Sequence, residues 1–240
     1  MKIAFISSLF GDRNNYPSYF RRVDAYDYFL FSDREQEDFK TSWDVINISD
    51  NPNIVNLDCN VKKSRYAKFL GYELLDSMNI KYDCIYYCDA HYSPALVDWI
   101  HKSSKFISMD FSFAQDQHFF RHIRRGGIRA ECKSILKFRK EKKENINKTI
   151  NFYKKNYPDI NLSTQQYYAN TMFGYYPSDT VKKVTRDFWE IYTNSEVTFR
   201  DQPTWNLVLL KHGVNPVSKL GGALMKNFNK TGIYGNHKYA

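Results

Sequence analysis

A chain of 240 residues with 42% apolar and 25% charged residues carries enough material for a buried core, which excludes a disordered or low-complexity polypeptide. A net charge of +9 suits an anionic partner: nucleic acid, an anionic membrane face or a phosphorylated small molecule. No apolar stretch reaches the roughly 20 residues of a membrane span, and the four cysteines form no Cys-x-x-Cys pair, so zinc-site spacing is absent and reduced thiols in a cytosolic protein are expected.

Residues 2–8 (KIAFISS), 26–32 (YDYFLFS) and 43–48 (WDVINI) read as strands. Residues 62–78 read as a helix, because Ala67, Leu70, Leu74 and Met78 recur at helical spacing. A strand over 82–88 follows, dense in apolar and aromatic residues, and stops abruptly at Asp89-Ala90-His91. Ser93 and Pro94 then cap a short helix, and residues 105–111 (KFISMDF) give another strand. Strands alternating with helices imply an α/β layer with a mostly parallel sheet. The second half is helical: 128–156, with a break expected near Glu144-Asn145 and a hinge at Gly126-Gly127 before it; 177–193; and 201–212, with Asp201 as N-cap. From Gly221 the tail reads as a loop. Without a repeat, low-complexity tract or linker, the chain reads as one domain over 1–240.

In a mostly parallel sheet, ligands bind outside the carboxyl ends of the strands. Asp89 and His91 stand at such an end, two apart in an extended segment and so pointing the same way. A carboxylate and an imidazole there can meet one divalent cation and, through it, a diphosphate; the plainer reading makes Asp89 a turn cap and His91 a surface residue. Lys62, Arg65 and Lys68 form a basic stripe opposite the core face of their helix, for phosphates, a base or only water. His118 and Arg121 in HFFRHIRR suit contacts to substrate or phosphate, and Glu131 is a lone acid in a basic region, expected to form an ion pair. Between residues 121 and 155 lies a dense run of Arg and Lys. Such a run is most often a solvated helical face; the functional alternative is a surface for an acidic glycan, a nucleotide or lipid headgroups. Asp201 and Gln202 open an apolar helix, where capping accounts for Asp201 and a carboxylate with an amide also suits sugar hydroxyls. A P-loop, a G-x-S-x-G and a G-x-G-x-x-G are all absent, which counts against an NTPase, an α/β-hydrolase and a Rossmann dehydrogenase.

The order KIAFISSLFG, YDYFLFSD, WDVINI, SRYAKFLG, YDCIYYCDAH is similar to the glycosyltransferase A-type (GT-A) fold, an α/β architecture with a helix-rich C-terminal half. More closely, YYCDAH, HFFRHIRRGGIRAE, INFYKKNYP and FRDQPTWNLVL resemble the plant seed-mucilage and turgor-related glycosyltransferase-like family, in that family's order and over most of residues 2–212. The resemblance implies transfer of a sugar from a UDP- or GDP-sugar to a glycan acceptor, as in surface polysaccharide synthesis. Residues 1–111 would form the nucleotide-sugar half and 112–240 the acceptor half. Arg65, Lys68, Asp89, Ala90 and His91 would bind the nucleotide sugar; His118, Arg121, Glu131 and Arg200 the acceptor and donor sugar; Asp201 and Gln202 would be catalytic. Mn²⁺ or Mg²⁺ would sit on Asp89 and His91, with His237 as a third ligand by position. His91 replaces the second acid of a D-x-D motif, and imidazole binds Mg²⁺ poorly. The D-Q helix also resembles that of retaining galactosyltransferase-like enzymes; retention is therefore expected, with inversion using Asp201 as base the alternative. The chain is shorter than the plant members and lacks their anchor and stem, so a cytoplasmic enzyme is expected, with a membrane surface also open to it and no nucleic acid partner. The rival is a basic module that binds nucleic acid or anionic glycan without chemistry. A third reading is a degenerate transferase fold kept as a scaffold.

Overall fold

A computed structural model of the protein describes residues 1–11, 17–91, 94, 112–118 and 120–217. The helix expected after Ser93, the strand over 105–111, the tail and His237 lie outside the described residues.

Six strands form one sheet: β1 (Ile3–Leu9), β2 (Asp27–Ser32), β3 (Asp44–Asn47), β4 (Cys84–Cys88), β5 (Phe113–Gln117) and β6 (Tyr168–Tyr175). Their spatial order is β3-β2-β1-β4-β6-β5. β1 runs parallel to β2 and β4, and β2 parallel to β3, with Ile6 flanked by Phe29 and Tyr87. β6 is antiparallel to both β4 and β5. The sheet is therefore mixed and mostly parallel, as the sequence predicts, and helices flank it. Neither β5 nor β6 is foreseen; both belong to the half expected to be helical.

Every residue of β1 and of β4 is buried, because both sheet faces are covered. On one face Tyr28, Phe5 and Tyr86 stack across β2, β1 and β4 with centroids 5.2 and 5.3 Å apart, under Phe20, Phe39 and Trp43 of the connecting segments. The other face carries the helices: a single turn α1 (Pro52–Val55), α2 (Asn60–Phe69), α3 (Gly71–Ser77), α4 (Arg121–Lys137), α5 (Lys143–Asn156), α6 (Asp179–Tyr192) and α7 (Asp201–Lys211). Phe69 of α2 packs 4.1 Å from Phe188 of α6, 4.9 Å from Trp205 of α7 and 5.5 Å from Phe173 of β6, centroid to centroid. That cluster fixes α2 beside α7.

Three boundaries differ from expectation. The helix expected over 62–78 is two, α2 and α3, broken at Leu70. A Cβ on Gly71 would lie 2.3 Å from Ile6 Cδ1, so the chain approaches β1 too closely for a side chain just where it turns. The charged region breaks between α4 and α5, where Arg139 takes a positive φ of 53°, and not near Glu144-Asn145. The N-cap of α7 is Arg200, and Asp201 sits inside the first turn.

The hinge at Gly126-Gly127 is a kink within α4: Gly127 has φ 57° and ψ −146°. A Cβ there would also meet Thr164 O at 2.6 Å. Gly127→Ala is expected to cost about 3 kcal/mol, the upper end for a residue forced into a glycine-only conformation. A urea titration reads this as a lower midpoint with unchanged slope.

Candidate active site

The strand order reverses at β1, since the chain proceeds outward to β2 and β3 and then crosses back to β4. Ligands of open α/β sheets lie outside the carboxyl ends of strands at such a switch point. Serine hydroxyls secure the ends of β1 and β2. Ser7 Oγ donates to Cys88 O at 2.6 Å, and Ser32 Oγ to Leu9 O at 2.7 Å. Ser8 Oγ donates to Ser64 O at 3.1 Å and shares a 2.9 Å hydrogen bond with Ser64 Oγ, which holds α2 over the end of β1.

From α2 two cations reach into the crevice. Lys68 Nζ lies 3.3 Å from Asp89 Oδ1, just past β4, and 3.4 Å from Asp201 Oδ2 on α7. Arg65 Nε stands 3.1 Å from Asp201 Oδ1, an ion pair without hydrogen-bond alignment. The Lys68 side chain is 3% exposed, whereas that of Asp89 keeps 31%. The Tyr87 hydroxyl donates to Asp89 Oδ1 at 2.9 Å, and its ring lies 4.7 Å beneath the Lys68 ammonium.

Asp201 is buried at the start of α7. Burial alone would raise its pKa, but the Arg65 and Lys68 charges and the Asn170 amide outweigh it and hold the carboxyl well below the usual range. Asn170 Nδ2 donates to Asp201 Oδ2 at 3.1 Å, and Asn170 N to Gln202 Oε1 at 3.2 Å. Gln115 Nε2 donates to Asn170 Oδ1 at 3.0 Å, while Gln115 Oε1 accepts from Trp205 Nε1 at 2.9 Å. Asn206 acts like a strand neighbour for Tyr168, accepting from its N–H at 2.7 Å and donating to its carbonyl at 3.0 Å. The α7 face that begins with Asp201 and Gln202 is thus bonded to β5 and β6 through side-chain amides. A fully satisfied buried network of this kind fixes one geometry.

No family model matches the chain, and no curated protein matches it. Among solved structures, the WbbM bifunctional glycosyltransferase in its apo form superposes with a TM-score of 0.49 at 11% identity, covering 88% of this chain and 38% of that one. The mannosyltransferase Ktr4p from S. cerevisiae gives a TM-score of 0.37 at 10% identity, covering 87% of this chain and 65% of that one. The chain therefore spans less than two thirds of either. Neither likeness is close enough to assign an activity.

Arg65, Lys68, Asp89, Asp201 and Gln202 meet in one place, but not as expected. The basic stripe of α2 is not opposite the core: Lys68 is buried, Arg65 turns with it toward Asp201, and only Lys62 points away, to Asp58 at 2.9 Å. Capping does not account for Asp201, whose carboxylate turns to Arg65, Lys68 and Asn170. Ala90 is buried and its carbonyl accepts from Ser18 N at 2.7 Å; His91 follows, half-buried. His118 is buried rather than open to a substrate, its Nδ1 accepting from Phe120 N at 3.2 Å; burial, with His122 nearby, pushes its pKa down to about 4. Arg121 is exposed and Arg200 half-buried. Asn170, absent from the sequence-based set, joins it on structural grounds; the aromatic run YYANTMFGYY is the strand signal that would have found it.

Of the three residues expected to hold a divalent cation, Asp89 and His91 stand just past β4 and His237 lies outside the described residues. The described residues hold no group of three or more His, Cys, Asp or Glu side chains placed to share a metal. Asp89 Oδ1 faces the Lys68 ammonium and the Tyr87 hydroxyl.

Glu131, expected to be ion-paired, makes no ion pair among the described residues. Burial pushes its pKa up to about 7, with Asp201 adding to the rise and Lys140 and Arg200 opposing it. Because the folded state holds this proton more tightly, the stability it contributes is full below the ordinary value of 4.5 and is lost as pH rises through about 7. Wild-type protein is therefore expected to lose more stability than Glu131→Gln between about pH 5 and pH 8, as read by denaturant titration. Parallel curves would place the titration elsewhere.

Proposed function

We propose that the chain is a glycosyltransferase of GT-A type that takes its sugar from a UDP- or GDP-sugar and passes it to a glycan acceptor. The observation that carries this reading is the buried Lys68 ammonium held between Asp89 and Asp201 at the switch point. Breaking the bond between the anomeric carbon and the diphosphate leaves its electron pair on the diphosphate oxygen. Lys68 and Arg65 are the cations placed to take up that charge. Asp89, the more exposed carboxylate of the set, supplies an acceptor for a sugar hydroxyl, and the amide network holds Asp201 and Gln202 still before the donor arrives.

Retention is favoured over inversion through Asp201. A carboxylate neutralised by two cations and held well below its usual pKa is a poor proton acceptor. The D-Q helix resemblance points the same way.

The test is release of nucleoside diphosphate from a panel of UDP-, GDP-, CMP- and dTDP-sugars with glycan acceptors, run with Mn²⁺ and with EDTA. Acceptor-dependent release from one donor class, with product stereochemistry read by NMR, supports the reading. Salt-sensitive polyanion binding with no turnover of any donor favours the basic binding module instead.

A further inference from the structure

We propose that the outer face of α4 docks on an anionic lipid surface. Arg121 and Arg125 stand four residues apart before the kink at Gly127, Arg129, Lys133 and Lys137 succeed one another four apart beyond it, and all five are exposed. Ile123, Ile128, Cys132 and Ile135 fill the opposite, buried side. None of the five cations forms an ion pair among the described residues. Like charges four apart on a helix repel, and a carboxylate at alternate positions would relieve them. The chain uses that device one helix later, where Lys148 meets Glu144 at 2.9 Å. On α4 the charges stay together and face outward.

The stripe ends in an apolar tip. Phe138, just past α4, is 54% exposed, and Phe199, just before α7, is 42% exposed. Their loops are tied by Thr198 Oγ1 donating to Glu141 Oε2 at 2.8 Å. Lys137 and Lys140 hold their ammonium groups 6.0 and 5.9 Å from the Phe138 ring. A dissolved polyanion would answer the charges and leave the rings in water. A bilayer answers both, with headgroups for the cations and the acyl boundary for the rings. No helix of the described residues is long and apolar enough to cross a membrane. Because Phe199 precedes Arg200 and Asp201 directly, docking would bring the candidate site close to the lipid surface. The inference does not depend on the glycosyltransferase reading.

Sedimentation with phosphatidylglycerol vesicles and with phosphatidylcholine vesicles tests it on the intact chain. Partition onto the first and not the second is expected. The triple change Arg125→Gln, Arg129→Gln, Lys133→Gln should weaken it about 10²-fold, from the usual contribution of each basic residue near an anionic surface. Phe138→Ser should weaken it severalfold while the melting temperature stays near that of wild type. Failure to sediment with phosphatidylglycerol overturns the proposal. So does binding that Phe138→Ser leaves unchanged and that soluble dextran sulfate abolishes, which would make the face a polyanion surface.

Discussion

Lys68→Met is expected to lower turnover by at least about 10²-fold, the usual scale for losing a preorganised electrostatic group. Methionine keeps the length and apolar stem of lysine, so packing against Phe69 and Tyr87 is largely preserved. The charge is lost. Asp89 and Asp201 then face each other without the ammonium that lies 3.3 and 3.4 Å from them. Removing one partner of a buried ion pair typically costs about 3–5 kcal/mol, because the other is left uncompensated. Here Arg65 still serves Asp201, and Asp89 is partly solvated, so the lower end is expected. Stability therefore falls while the fold persists, and turnover measured below the melting temperature isolates the electrostatic role. If Lys68→Met keeps wild-type turnover, Lys68 is a structural counter-ion only.

Asp201→Asn is expected to be the more damaging change for the fold, at about 3–5 kcal/mol. An Asp that only caps a helix tolerates Asn, which caps about as well. Asp201 does not cap. It is the shared counter-ion of Arg65 and Lys68, both turned inward, and it accepts from the Asn170 amide. Asparagine would present an amide to two cations. The same substitution removes the negative charge from the first turn of α7, where it suits the helix dipole. Combining Asp201→Asn with Lys68→Met should cost less than the sum of the two, since each leaves the other's charge unpaired. A coupling of about 1–3 kcal/mol in that double-mutant cycle is the expected result. Additive losses would mean that the two side chains act separately.

The end of β4 was legible because its signal is local: a five-residue apolar run, then a carboxylate, then a turn. The parallel layer was legible for the same reason, from short apolar runs alternating with a helical pattern. The orientation of α2 was not. Helical spacing puts Arg65 and Lys68 on one face, but whether that face meets water or a carboxylate depends on Asp201, more than a hundred residues later. The N-cap assignment of Asp201 fails for a related reason, since an Asp at a helix start reads as a cap whatever lies opposite. β6 went unseen because its pairing with β4 and β5 is antiparallel and non-local. Asn170, which joins Asp201 and Gln202 to the sheet, went unseen with it. The buried state of His118 could not be read either, because His-x-x-Arg looks like a ligand-binding pattern, whereas His118 directly follows β5 and donates its N–H to Tyr167 O at 2.8 Å.

The most direct measurement is calorimetric titration of wild-type protein and Lys68→Met with UDP- and GDP-sugars. The predicted result is saturable binding of one donor class to the wild type, weakened at least about tenfold in Lys68→Met, as expected when a charged hydrogen-bonding partner of the diphosphate is removed. Wild-type protein that binds no nucleotide sugar, or binds one equally well without the Lys68 charge, would contradict a donor site at the end of β4.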